Sequence, residues 1–198
     1  NLIETAANKE RYRREITWKQ FDVAANRFAN LLFTRGIRRG DKVAILLMNC
    51  IDWLPIYFGI LKTGALAVPM NFRYTGDEIE YCLDLADVRM LVFGPEFIDR
   101  LNQVRANLKV DNYFFVGDQA QTPDYADNYA QMTYYCSATV PPVELRDEDD
   151  AAIYFSSGTT GFPKAILHRH KALVSSCMTE QHHHHQTRDD VFLCIPPL

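Results

Sequence analysis

Apolar runs of strand type alternate with capped helical segments along the first 117 residues, and the connections between them are only a few residues long. This rhythm constrains the fold more than any other feature. "KVAILLM" (Lys42 to Met48), "ALAVPM" (Ala65 to Met70), "VRMLVFG" (Val88 to Gly94) and "NYFFVG" (Asn112 to Gly117) have the length and apolar continuity of buried strands. Between them lie helices with their own start and stop signals. Thr17 and Gln20 have capping-box spacing ahead of Phe21, Ala24, Ala25, Phe28, Leu31 and Leu32, and Gly36 supplies a left-handed stop. A second helix, from about Ile51 to Thr63, ends at Gly64. Thr75 and Glu78 form another capping box before Ile79, Cys82, Leu83 and Leu85, and a fourth helix is expected from Pro95 to about Leu108. Connections this short imply right-handed crossovers, and so an α/β fold with a mostly parallel sheet flanked by helices.

Gly117 to Asp150 breaks the rhythm: it is rich in Asp, Gln, Asn and Tyr, contains Pro141-Pro142 and finishes in the acidic "ELRDEDD". A boundary lies there, and the acidic run reads as a solvated link between substructures. With 47% hydrophobic residues and a net charge of -4, the chain has an ordinary soluble composition and no general attraction for nucleic acid or anionic lipid. Any anion site must therefore be built locally. No apolar run is long enough for a membrane span. The cysteines, Cys50, Cys82, Cys136, Cys177 and Cys194, are odd in number and contain no C-x-x-C pair; they read as reduced core residues in a cytoplasmic setting. The chain opens at Asn1 and closes on the strand-like "FLCIPPL", so it is expected to be part of a longer polypeptide.

The local anion site has a clear candidate. "AAIYF", Ala151 to Phe155, is a strand delivering the chain into Ser156-Ser157-Gly158-Thr159-Thr160-Gly161-Phe162-Pro163-Lys164. Gly158 and Gly161 allow backbone N–H groups to converge in a nest of partial positive charge. The hydroxyls of Ser156, Ser157, Thr159 and Thr160 add rotatable donors, and Lys164 adds a full charge on a flexible stem. This is not a Walker loop, because Pro163 rather than glycine precedes the lysine and "AILHR" after it looks extended. The loop is expected to join two strands.

"YFSSGTTGFPKAILHRH" closely resembles the signature of the adenylate-forming superfamily, and the region from Thr17 to Leu83 resembles that family's N-terminal region. "VPMNFRYTGDEIEY" is more similar to the acyl-CoA synthetases than to peptide synthetase domains. The resemblance implies the N-terminal part of the large domain, truncated, with a first α/β subdomain over residues 1–140 and the start of a second over 141–198. It also implies a two-step reaction: ATP and a carboxylic acid form an acyl-adenylate and pyrophosphate, then the thiolate of CoA displaces AMP. By motif position, Ser156, Ser157, Gly158, Thr159, Thr160, Gly161 and Lys164 map onto the ATP-phosphate loop. Lys164 would stabilise the departing pyrophosphate, and Thr160 would place a hydroxyl near Mg²⁺. Ala165 departs from the family pattern, which has glycine after the lysine. The acyl pocket, ribose-binding aspartate and C-terminal lysine match motifs beyond Leu198, so the chain alone is expected to be inactive. Loading of a carrier protein, a luciferase-like oxygenation and a non-catalytic nucleotide-binding module stay open, as do the acid and any homo-oligomer.

Four further groups have a structural and a functional reading. "QHHHHQ" (His182 to His185 between glutamines) invites a metal, but adjacent histidines at a helix end cannot all face one ion. His168 and His170 follow the loop in sequence; packing or surface is the favoured role. Trp18, Trp53, Tyr57 and Phe58 fall at helical spacing and read as core. Arg38-Arg39 and Arg11, Arg13 and Arg14 could meet CoA phosphates, yet in an acidic chain they read as solvated surface.

Overall fold

The computed structural model describes residues 2–4, 14–156 and 163–194. A short antiparallel pair, β1 (Leu2–Glu4) with β2 (Arg14–Ile16), precedes the main body. The chain then alternates as expected: α1 (Trp18–Thr34), β3 (Lys42–Leu46), α2 (Trp53–Leu61), β4 (Leu66–Pro69), α3 (Gly76–Leu85), β5 (Val88–Phe93), α4 (Ile98–Val104) and β6 (Asn112–Phe115). After it come β7 (Asp127–Asn128), α5 (Tyr129–Tyr134), β8 (Asp150–Ser156), β9 (Lys164–Arg169) and α6 (His170–His184). Strands β3 to β9 make one seven-stranded sheet in the order β7-β6-β5-β3-β4-β8-β9. Every neighbouring pair is parallel except β8 with β9.

Helix boundaries follow local chemistry. Both capping boxes form: Thr17 accepts from the Gln20 backbone at 3.2 Å while the Gln20 side chain accepts from the Thr17 N–H at 2.8 Å, and Thr75 and Glu78 repeat the arrangement. Gly36 and Gly64 take φ of +82° and +77° at the ends of the first two helices, where a side chain would be strained. The helix expected over 95–108 is shorter. Pro95–Phe97 and Arg105–Asn107 are single 3₁₀ turns around α4, the tighter winding common at helix ends.

Alternation along the strands divides the core in two. Val43 and Ile45 of β3, Met90 and Val92 of β5 and Phe114 of β6 face a layer containing Phe28, Leu32, Ile56, Ile60 and Tyr129, from α1, α2 and α5. Ala44, Leu46, Leu91, Phe93 and Phe115 face Ile79, Leu83, Phe97 and Leu101, from α3, α4 and the turn before α4. Helices therefore cover both faces, and strands buried on both sides must be apolar at every position.

The segment from Gly117 to Asp150 is less irregular than its composition implies. It contributes the edge strand β7 and the short helix α5, whose Tyr129 ring meets Phe28 edge-on at 5.4 Å. Asn128 starts α5 by accepting from the Gln131 N–H at 3.1 Å. Beyond α5, the backbone is tied to α1. Asn30 donates to the carbonyls of Ser137 and Thr139, both at 2.9 Å, and Asn26 donates to Ala138 at 3.2 Å. The acidic run is exposed: Glu148 accepts from Arg169 and Lys171, and Asp149 accepts from Arg39 and the Arg146 N–H.

Three expectations change. Cys82 is buried and Cys50 and Cys136 are half-buried, but Cys177 and Cys194 are exposed, lying on a helix and a segment with no buried residues. Trp53 and Tyr57 are core, whereas Trp18 and Phe58 are 70% and 44% exposed, each packed edge-on against Phe21, at 5.9 and 5.5 Å. Val191 to Cys194 form no strand; no described strand runs alongside to take their backbone hydrogen bonds.

The seam between α1 and α2 depends on Gly59. A Cβ there would lie 2.9 Å from the Ala25 carbonyl oxygen and 3.0 Å from the Phe28 ring. Gly59→Ala is expected to destabilise the protein, since overpacking at about 1–3 kcal/mol outweighs a helix-propensity gain of about 1 kcal/mol. The measurement is the urea midpoint, and an unchanged or higher midpoint would show that the seam yields freely. Burial pushes the Cys82 thiol up to about 12; Glu78 adds to the rise and a hydrogen bond with Tyr74 opposes it. Cys82 should thus resist iodoacetamide at about pH 8 until urea is added, as read by mass spectrometry. Because the folded state holds this proton more tightly, the associated stability is present below the ordinary value of 9.0 and lost as pH rises toward about 12.

Candidate functional site

In a parallel sheet, the strand ends that deliver chain to helices and loops all open at one edge, which is where ligands bind in open α/β sheets. β8 lies parallel to β4, so its C-terminal end at Ser156 reaches that edge. There the chain turns back: β9 runs antiparallel to β8, and Ser156 pairs with Lys164 as the last registered pair. The expected join between two strands is thus observed. Ser156 is half-buried, Pro163 buried and Lys164 exposed. Ser157, Gly158, Thr159, Thr160 and Gly161 lie outside the described residues. Ala165, the departure from the family pattern, sits opposite Phe155 and is exposed.

The hairpin is anchored by aromatics. Tyr154 is half-buried; its hydroxyl lies 2.8 Å from that of Tyr57 on α2, and its ring meets His168 edge-on at 5.1 Å. Tyr57 is buried and stacked on Trp53 at 5.6 Å. Burial raises the Tyr57 phenol well above its ordinary value, and the bond to Tyr154 adds to the rise. Nothing in the sequence signalled this pair. The alternation of β8 places Tyr154 and Ser156 on one face, but Tyr57 is 97 residues away.

Two other concavities fit an anion poorly. At the switch point between β3 and β5, a cavity of about 440 Å³ is bordered by Asp52, Glu96 and Asp118 and by no lysine or arginine. A larger one, about 790 Å³, opens at the opposite edge of the sheet among Asp77, Glu80, Asp84 and Asp87, with Lys109 as its cation. Carboxylates on these walls would repel phosphate.

The remaining candidates do not gather at the loop. His168 pairs with Ala152, and His170 opens α6 at the far end of the hairpin, where its N–H donates to Asp149 at 3.1 Å. Strand rise puts His170 about 20 Å along the ladder from Lys164, away from the loop. Arg38 donates to the Phe33 and Ile37 carbonyls, and Arg39 to Asp149 and the Glu144 carbonyl. Arg14 lies in β2, while Arg11 and Arg13 are outside the described residues. His182 to His184 form the last turn of α6 and His185 its left-handed cap; His184 lies 3.4 Å from Glu180. Among the described residues, no group of three His, Cys, Asp or Glu side chains could hold a metal ion, and no helix is long and apolar enough to cross a membrane.

A crotonobetaine/carnitine–CoA ligase of Salmonella typhimurium is 31% identical over 188 residues, covering 93% of this chain and 36% of the relative. A long-chain-fatty-acid–CoA ligase of Mycobacterium tuberculosis is 32% identical over 161 residues, 81% of this chain and 31% of the relative. Among solved structures, ATP-bound MatB from Rhodopseudomonas palustris superposes with a TM-score of 0.81 at 26% identity, covering 93% of this chain and 36% of that one. The anthranilate CoA ligase AuaEII in complex with anthranoyl-AMP gives 0.76 at 31% identity, covering 80% of this chain and 30% of that one. The chain thus spans about a third of the length of the curated relatives it matches. The AMP-binding enzyme family matches residues 4–198, nearly the whole sequence, and the chain belongs to that family.

Proposed function

We propose that the protein carrying this chain activates a carboxylic acid with ATP, forming an acyl-adenylate and pyrophosphate, and then transfers the acyl group to CoA. The observation that carries the reading is the β8–β9 hairpin, which holds Ser156 against Lys164 at the C-terminal edge of a parallel sheet in a chain whose relatives are CoA ligases. In this reading residues 1–140 form the first subdomain and 141–198 begin the second. The chain by itself is inactive, because the acid and ribose contacts come from elsewhere in the polypeptide.

A carboxylate resists nucleophiles because it is negative and has no good leaving group, and adenylation removes both obstacles. As the bond to pyrophosphate breaks, charge grows on the departing oxygens. Lys164 is exposed at the loop end of the hairpin and free to swing its ammonium toward that charge. Ser156, fixed by the ladder, supplies a hydroxyl beside it, and Ser157, Gly158, Thr159, Thr160 and Gly161 supply the intervening amides and hydroxyls. The donor set suits a triphosphate, being cationic and hydroxyl-bearing, whereas the cavities of about 790 and 440 Å³ are bordered by carboxylates. Mg²⁺, when bound, would be held by phosphate oxygens, water and the Thr160 hydroxyl and would neutralise developing phosphate charge. The assignment of CoA over a carrier protein rests on the ligase relatives.

Lys164→Ala in the full-length protein is expected to slow acid-dependent ATP–pyrophosphate exchange by about 100-fold, the scale for removing one preorganised donor. Thioester formation from preformed acyl-adenylate should change little, because pyrophosphate has already left. An unchanged exchange rate would remove Lys164 from this role. Supplying CoA and a phosphopantetheinylated carrier in parallel separates the two acceptors.

A further inference from the structure

The hairpin that presents Ser156 and Lys164 has one registered backbone pair with the parallel part of the sheet. Along β4, Leu66 donates to the Asp41 carbonyl at 2.8 Å and Met70 to Ile45 at 2.9 Å, so the even positions point toward β3. By alternation, Ala67 and residue 69 point toward β8. Ala67 pairs with Ala152, but the next position is Pro69, which has no N–H to give. The registered pairing between β4 and β8 stops there, and from Ile153 to Ser156 the ladder continues only with β9.

A side-chain contact takes over where the backbone ladder ends. Tyr154, one side-chain period beyond Ala152, meets Tyr57 hydroxyl to hydroxyl at 2.8 Å. Tyr57 is held by its stack on Trp53 and by burial in the helix layer, so the contact ties the hairpin to a rigid element. Ser156 lies on the same face as Tyr154, about 7 Å further along the strand.

We propose that the Tyr57–Tyr154 phenol pair is a positioning contact, setting the height at which the loop from Ser156 to Lys164 meets a nucleotide's β- and γ-phosphates. The proposal rests on the phosphate-loop reading above. Neither tyrosine touches the nucleotide; both act through the loop's frame. Losing the bond lets the hairpin tilt, which weakens contacts to terminal phosphates and leaves contacts to the nucleoside monophosphate as they were.

The test compares ATP with AMP in the full-length protein, using calorimetric titration in the presence of Mg²⁺. Tyr57→Phe and Tyr154→Phe are each expected to weaken ATP about five- to tenfold, the equivalent of one hydrogen bond, with AMP affinity unchanged. The double variant should be no weaker than the weaker single, because both remove the same bond. Unchanged ATP affinity in both singles would overturn the proposal. So would equal weakening of ATP and AMP, which is the mark of a merely structural loss, or multiplied effects in the double variant. Lys164→Ala separates this proposal from the reading beneath it. If that variant loses its preference for ATP over AMP while the tyrosine variants keep theirs, only the phenol pair is refuted. If Lys164→Ala keeps the preference, the phosphate-loop reading falls and this proposal with it.

Discussion

Strand β3 is hydrogen-bonded to parallel neighbours on both edges and buried on both faces, and most of the molecule is arranged to satisfy it. Val43 to Leu46 have no access to water, so their amides and carbonyls must find partners in β4 and β5, and their side chains must be apolar without alternation. Parallel partners cannot be reached by a tight turn. Each requires a crossover, and α2, α3 and α4 are those crossovers, buried against one face or the other. The same constraint brings every strand end that leads into a helix or loop to one edge, so a binding loop after β8 needs no special device to face the right way.

What β8 does need is a route to that edge. The chain leaves the sheet at β7 and must return beside β4, on the other side of the central strands. Residues 135–149 make the passage over the layer containing α1, held by the amides of Asn26 and Asn30 and delivered to β8 where Asp149 accepts from Arg39. These bonds are polar and partly exposed, and each contributes little alone. Together they replace the apolar packing that the segment's composition cannot supply. The chain carries a net -4 and its cavity of about 790 Å³ is lined mainly by carboxylates, so attraction for a phosphate has to come from locally placed donors.

Local signals were legible where the chemistry acts within a few residues. Thr17 with Gln20 and Thr75 with Glu78 form the boxes their spacing implies, and Gly36 and Gly64 take the left-handed conformation expected of them. The join between two strands at Ser156 and Lys164 followed from Pro163, which disfavours a helix there. Signals failed where burial depends on distant partners. Tyr129 lies in a stretch without periodicity yet packs on Phe28, while Trp18 has helical spacing from Phe21 and stays exposed. His170 looked adjacent to the loop because sequence distance conceals that a six-residue strand carries it to the other end of the ladder.

The sequence by itself determined the alternation of strand and helix, the capped boundaries, and the collection of glycines, hydroxyls and a lysine into one loop, because each depends on short-range sterics or on residue chemistry. Tertiary structure alone decided that β8 would stop pairing with β4 beside Pro69 and that Tyr57 would meet Tyr154 there. Those outcomes depend on which way a backbone N–H points and on which helix lies over a strand. Both are consequences of strand order and register, and neither is a property of any local stretch of residues.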